Sequence, residues 1–418
     1  MTVALRTQSP VRMSSFTQPI PLSLYVHFPW CIQKCPYCDF NSHQRQPDVD
    51  AQAQEQRYLN ALVAQLDATL PTIWGRPIES IFFGGGTPSL MSVSGLNWLM
   101  SQLRARLGFD PSIEVTLEAN PGAIDSDRFE GFRAAGINRL SLGVQSFQPR
   151  LLKALGRIHS DEDAETAFQA ARRAGFDRIN LDLMFALPDQ TLAEAEEDVA
   201  RALALAPDHL SYYQLTLEPN TPFYQAPPSL PDEDQAWQIQ EQGHERLKAA
   251  GFASYEVSAW AQEKSRIDQR CRHNLNYWQF GDYIGLGAGA HGKLTLPQHN
   301  QILRTQLPAS PGSYEREIER HPPSAEPGVL PGRVTEVTAQ DRRFEFLLNA
   351  LRLSSGFSVS LFEARTGLSA EALWPILRDW EARGWMTLSH AQPEKADCTL
   401  TQTGHRYLNT LLETLLDD

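Results

Sequence analysis

Between residues 22 and 250 the chain alternates six times between two hydrophobic periods. Runs with strand character, LSLYVHF (22–28), SIFFGGG (80–86), IEVTLEA (113–119), RLSLGVQSF (139–147), RINLDLMFALP (178–188) and HLSYYQLTLEP (209–219), are separated by stretches of helical periodicity. Those stretches lie at 53–69, 93–107, 125–135, 160–174, 191–205 and 232–250. Strands that follow one another with a helix between them pair in parallel, because each helix carries the chain back across the sheet. Six such units exceed a simple flavodoxin-like sheet. The expected fold is α/β, a partial (β/α)6 barrel, with chemistry at the C-terminal ends of its strands.

Residues suited to chemistry fall at those ends. The loop after the first strand, PWCIQKCPYCDF, holds Cys31, Cys35 and Cys38, three of the five cysteines in the chain. Three thiolates at C-x3-C-x2-C spacing hold three corners of a four-iron cluster and leave one iron open to a ligand. The alternatives are a zinc site, which needs a fourth ligand such as Cys271, Cys398, His27 or His43, and three unrelated core cysteines. The second strand ends in Gly84, Gly85 and Gly86, where the backbone can approach a ligand closely or simply turn. Later strand ends carry Glu118, Gln145 and Asp182.

Composition narrows the function classes. The formal net charge is −13, which argues against a nucleic-acid surface built of clustered Lys and Arg. No apolar run reaches the ~18–20 residues of a membrane span. Tightly spaced cysteines in a chain of 418 residues point to metal binding rather than a disulfide framework, and an oxygen-sensitive cluster points to a reducing cytoplasm. Residues 1–20 are rich in Ser, Thr and Gln and free of acids. They faintly resemble a transit peptide; a short disordered tail is expected.

With the triplet and the glycine-rich strand end in view, the chain resembles the radical S-adenosylmethionine (SAM) superfamily. The resemblance implies a 4Fe–4S cluster on Cys31, Cys35 and Cys38, with SAM bound at the open iron and cleaved by an electron from the cluster. It carries SAM contacts onto Gly85, Gly86 and Thr87. The runs LYVHFPWC, GGGTPS, LEANP, GVQSF, LGRIH and LDLMFALP, in that order over most of 22–300, are similar to the oxygen-independent coproporphyrinogen III oxidase family. That similarity implies further SAM contacts at Tyr25, Glu118, Gln145, Arg157 and Asp182. Carboxylates and amides suit ribose hydroxyls or an amino group, and Arg157 suits a carboxylate; each alone also reads as an ordinary strand-end polar residue.

Two features separate branches of this family. The dehydrogenases carry C-x3-C-x2-C-x-C and a longer N-terminal region. This chain has Phe40 at the fourth cysteine and only about twenty residues before its first strand. HNLNYW (273–278), together with PWCIQKCPYCDFNSH, is similar to the HemW heme-chaperone branch. That implies heme as cargo and an acceptor hemoprotein as partner, such as a respiratory, membrane-associated one, with the chain itself not transmembrane. His273 is then the candidate imidazole for heme iron, with Tyr277 and Trp278 against the porphyrin face. The plainer reading makes His273 a hydrogen-bonded core residue. Oxidative decarboxylation of coproporphyrinogen III, or another radical SAM reaction, is the alternative function. Cys271 reads as a second candidate ligand or a buried thiol. The glycine-rich YIGLGAGAHG (283–292) lacks the context of a nucleotide loop.

Six prolines between residues 305 and 332 mark 301–335 as a linker or insertion. Beyond it, 336–418 is expected to form a small winged-helix-like domain, following a barrel and heme-binding segment at 21–300. Its acidic residues match its arginines in prominence, so packing or a protein partner is expected rather than DNA.

Overall fold

The computed structural model describes residues 16, 18–46, 50–123, 126–321, 326 and 328–415. All six strands expected from the sequence are present: β1 Leu22–Phe28, β2 Ile78–Gly85, β3 Phe109–Ala119, β4 Arg139–Gln145, β5 Ile179–Phe185 and β6 His209–Gln214. They pair in parallel, each with the next in sequence. The intervening helices are α1 Ala51–Ile73, α2 Val93–Arg106, α3 Ser126–Ala135, α4 Asp161–Arg173 and α5 Leu192–Ala204, with α6 Glu233–Ala249 after β6. Local chemistry fixes several helix starts. Ser160 with Asp163, Thr191 with Glu194, and Asp232 with Gln235 form reciprocal capping boxes at the first turns of α4, α5 and α6, satisfying backbone N–H groups that the helix leaves open.

The sheet extends past the six units on both sides. Strands β7 Phe252–Glu256 and β8 Ala259–Gln262 form a hairpin that adds antiparallel to β6. On the other edge, β9 Asp282–Leu286 lies parallel to β1, and β10 His291–Leu296, β11 Gln301–Gln306 and β12 Arg333–Glu336 follow antiparallel. The result is one open sheet of 12 strands among the described residues, β12-β11-β10-β9-β1-β2-β3-β4-β5-β6-β8-β7. The apolar sides of β1–β6 and of the helices over them make the main core, including Leu24, Val26, Ile81, Phe83, Leu117, Leu142 and Leu181.

The stretch expected as a linker, 301–335, is sheet and helix over most of its described length. It supplies β11, the start of β12, and α7 Pro311–Arg320, whose Pro311 sits in the first turn, where its missing N–H costs nothing. Tyr314 of that helix is buried and donates its hydroxyl proton to Gln65 Oε1 at 2.8 Å. The prolines therefore punctuate elements rather than free the chain; Pro322, Pro323 and Pro327 lie outside the described residues.

A second core forms around α8 Ala339–Ala350, α9 Val359–Thr366, α10 Trp374–Ala382 and a small antiparallel sheet of β13 Phe357–Ser358, β14 Met386–Leu388 and β15 Asp397–Leu400. Ile302 of β11 and Phe280, in the turn before β9, enter this core, and Phe16 packs on it. Of the expected N-terminal tail, residues 1–15 and 17 lie outside the described residues. No described helix is long and apolar enough to cross a membrane.

Candidate functional site

The strand ends of β1–β6 surround a cavity of about 430 Å3. Eleven residues singled out in the sequence line it: Cys31, Cys35, Cys38, Phe40, Gly85, Gly86, Thr87, Glu118, Gln145, Arg157 and Asp182. They come from the loop after β1, the end of β2, the ends of β3 and β4, the middle of β5, and the segment before α4.

The glycine run lines the cavity and also holds the loop beside it. Gly86 N–H donates to the Phe28 carbonyl at 2.8 Å and Thr87 N–H to the Trp30 carbonyl at 2.9 Å, so these amides pin the cysteine loop to the sheet. A Cβ on Gly86 would come 2.7 Å from the Trp30 carbonyl oxygen; only glycine allows the two backbones this close. Gly85 has φ 114° and gives its N–H to Glu118 Oε2 at 3.3 Å. The loop itself is held by Cys38 N–H to the Cys35 carbonyl, His43 N–H to Pro29 and Arg45 N–H to Cys31. Asn41 Nδ2 ties it to the carbonyls of Ala288 and Ala309 at 2.9 and 2.8 Å.

All five cysteines are free thiols. Thr87 Oγ1 donates to Cys31 Sγ at 3.5 Å, and Arg157 Nη1 to Cys35 Sγ at 3.6 Å. Burial raises the pKa values of Cys31 and Cys38. Among the described residues, no three His, Cys, Asp or Glu side chains converge as ligands of one metal ion must. A four-iron cluster makes no such demand, since each thiolate binds a different iron. Three unpaired thiols on one cavity wall, with a guanidinium beside one of them, fit that donor set.

Two buried acids line the same cavity. Burial, with the charge of Asp182 behind it, pushes Glu118 up to about 8. Burial also raises Asp182, although Asn180 Nδ2 and Ser141 Oγ donate to its carboxylate at 2.7 and 3.1 Å. Two desolvated carboxyl groups side by side favour a ligand that brings positive charge. Arg157 donates to Asn120 Oδ1 and, at 2.8 Å, to the Gly143 carbonyl; its Nε is buried without a partner, a donor left for an anionic group. Gln145 has φ 69°, in a break of register between β4 and β5, and its amide oxygen accepts from Tyr213 at 2.8 Å. Backbone strain of this kind at a cavity wall is typical of binding sites. Tyr213 and Asn120, in the quoted runs HLSYYQLTLEP and LEANP, are lining residues that sequence reasoning left out.

A second cavity, of about 390 Å3, adjoins the first. Phe40, Gly85 and Glu118 line both. Phe40 is 60 % exposed, an unusual position for a large apolar ring. Tyr25 belongs to this second cavity and not to the cysteine cavity, its hydroxyl 3.1 Å from His27 Nδ1. The short helix Arg272–Trp278 presents Tyr277 and Trp278 to the same space. The indole N–H of Trp278 is buried and unpartnered, and Arg352 lies over its ring at 4.4 Å.

His273 lines neither cavity. It is 1 % exposed. Nδ1 hydrogen-bonds Ser80 Oγ at 3.0 Å and Nε2 the Tyr277 hydroxyl at 2.9 Å. Phe82 stacks on it at 5.1 Å, and burial pushes its pKa down to about 3. The imidazole is neutral, saturated with partners and inside the protein. Cys271 is likewise buried, its thiol donating to Glu114.

Residues 25–202 match the model of the radical SAM superfamily, and residues 337–391 match that of the HemN C-terminal domain. Heme chaperone HemW of Escherichia coli (strain K12) is 46 % identical over 401 residues, covering 95 % of this chain and 98 % of that protein. The chain belongs to the HemW family. Heme chaperone HemW of Bacillus subtilis (strain 168) is 36 % identical over 370 residues, covering 87 % of this chain and 92 % of that one. Among solved structures, coproporphyrinogen III oxidase (HemN) from Escherichia coli, a radical SAM enzyme, superposes with a TM-score of 0.76. It is 23 % identical, with 95 % of this chain and 90 % of that chain covered. At that identity the match speaks for the fold, a radical SAM barrel with the C-terminal helical unit attached.

Proposed function

We propose that this member of the HemW family is a heme chaperone. It binds a 4Fe–4S cluster through Cys31, Cys35 and Cys38 and SAM in the larger cavity. Heme lies in the adjoining aromatic cavity and is passed to an acceptor hemoprotein from the cytoplasm. The observation that carries this reading is the pair of cavities sharing one wall: a thiol, acid and guanidinium site beside an aromatic one, with Phe40 between them.

The cysteine cavity supplies what SAM presents. Glu118 and Asp182 suit the cationic groups, and the free Nε of Arg157 suits the carboxylate. A bound cluster supplies an electron-rich, ligand-accepting iron. The second cavity supplies rings for a large apolar face and, beside them, Arg304 and the Trp278 N–H for acidic groups. Its volume lies in the usual range of small-molecule sites, roughly 300–1,000 Å3. Phe40 agrees with a carrier role, since it stands where the dehydrogenase branch has a fourth cysteine. The printed names of the similar proteins give independent support.

The test is anaerobic. Protein with a reconstituted cluster is titrated with hemin and then incubated with coproporphyrinogen III, SAM and reductant. The expected result is a Soret band, transfer of heme to an apo-hemoprotein, and no porphyrinogen conversion. Robust conversion without heme uptake would overturn the chaperone reading in favour of the dehydrogenase.

A further inference from the structure

We propose that His291, rather than His273, supplies the imidazole to heme iron in the aromatic cavity; this rests on the reading that the cavity takes heme. Two imidazoles line that cavity, and the third candidate lies behind its wall. His27 is engaged at both ring nitrogens, by the Asn41 carbonyl at 2.8 Å and the Tyr25 hydroxyl at 3.1 Å. His273 is engaged at both, by Ser80 and Tyr277, and is sealed from the cavity. His291 lines the cavity, is exposed at its mouth, and its ring makes no hydrogen bond among the described residues.

Strand register explains how His291 reaches this position. Tyr25 of β1 pairs with Gly285 of β9, Tyr283 of β9 with Lys293 of β10, and Lys293 with Arg304 of β11. Paired residues share a face, and so do residues two apart on a strand. Tyr25, Tyr283, His291, Lys293 and Arg304 therefore stand on one side of the sheet, the side over which the Arg272–Trp278 helix places its aromatic pair. Gly285 lies against His291; a Cβ there would collide with the His291 carbonyl oxygen, so glycine is what lets β9 and β10 close up. Burial and nearby Arg304 lower the His291 pKa, which keeps a lone pair available at neutral pH. An iron ligand at the mouth rather than the base of a cavity also suits a protein that must give its cargo up. His273 becomes a positioning residue, fixing the ring of Tyr277 through the bond to its hydroxyl.

The experiment compares hemin spectra of the full-length wild type, His291→Ala, His291→Gln, His273→Ala and Tyr277→Phe. The proposal expects both His291 variants to shift the Soret maximum and to bind hemin more than about a hundredfold more weakly, beyond what outer-shell changes alone give. Added imidazole restores the wild-type spectrum in His291→Ala, a rescue that a merely structural role would not show. His273→Ala and Tyr277→Phe keep the wild-type Soret position. An unchanged spectrum in both His291 variants, or a shift confined to Tyr277→Phe or His273→Ala, overturns the assignment and leaves the heme reading standing. A wild type that binds no hemin overturns both.

Discussion

Glu118 shows how one buried side chain sets the character of a site. With its pKa near 8, it is protonated at neutral pH in the ligand-free protein. A cationic ligand favours the carboxylate, so SAM affinity is expected to rise with pH toward about 8 and flatten above it. Glu118→Gln, neutral at every pH, should lose that rise. Equilibrium binding of SAM to reconstituted protein from about pH 6 to about pH 9 reads both effects; parallel curves would show that Glu118 does not face the ligand. Gly86 makes a sterically simpler case. Gly86→Ala forces a methyl group against the Trp30 carbonyl oxygen, 2.7 Å away, and is expected to cost on the order of 1–3 kcal/mol. Denaturant midpoints measure the cost, and the iron bound after reconstitution reports whether the cysteine loop has moved with it.

The helices and strands depend on contacts between neighbouring elements. His159 sits just before α4 and hydrogen-bonds through Nε2 to the Val144 carbonyl of β4 at 3.1 Å. Burial, followed by the charge of Arg157, pushes its pKa down to about 4, against 6.5 for the free side chain. The unfolded chain thus binds the extra proton between those values. The contribution of His159 to stability is complete above about pH 6.5 and is lost as pH falls toward about 4. Urea unfolding at about pH 5 and about pH 7 should show a larger acid loss in the wild type than in His159→Gln; equal losses would mean that the ring is charged in the fold. The same elements show what was readable in advance. β1, β4 and β5 begin within a residue of their sequence-based limits, because large apolar residues recur at every second position along each of them. β7–β8 and β10–β11 were not foreseen. They are short strands joined by tight turns, each paired antiparallel with its neighbour in the chain.

Across the molecule, Arg342 joins the two cores. It is 2 % exposed and donates to three carbonyls, those of Val337 at 3.1 Å, Thr366 at 3.1 Å and Asn300 at 2.8 Å. Arg342→Ala leaves these acceptors unpaired beside an empty volume, and is expected to destabilise the protein by about 3 kcal/mol. Hydrogen exchange should localise the loss to α8, α9 and the β11–β12 edge; protection falling uniformly across the chain would argue against a joint between the cores. The buried Asp282 shows a related dependence on distant partners. Arg76, Lys293 and the Thr295 backbone and hydroxyl all reach its carboxylate, and together they hold its pKa low against burial.

What the sequence determined by itself is local: hydrophobic period, helix caps, and the spacing of Cys31, Cys35 and Cys38. Because β1–β6 are parallel and consecutive, the same local order also brought Glu118, Gln145, Arg157 and Asp182 onto one cavity with the cysteines. The tertiary structure decided which imidazole is free. His273 stands in the most conspicuous run of the C-terminal half, yet Ser80, 193 residues away, and Tyr277 occupy both its ring nitrogens. His291 lay unremarked in a glycine-rich run, and antiparallel pairing on the far edge of the sheet left its ring unpartnered at the cavity mouth. A ring nitrogen is available or occupied according to what lies within about 3 Å of it, and that distance exists only after the chain has folded.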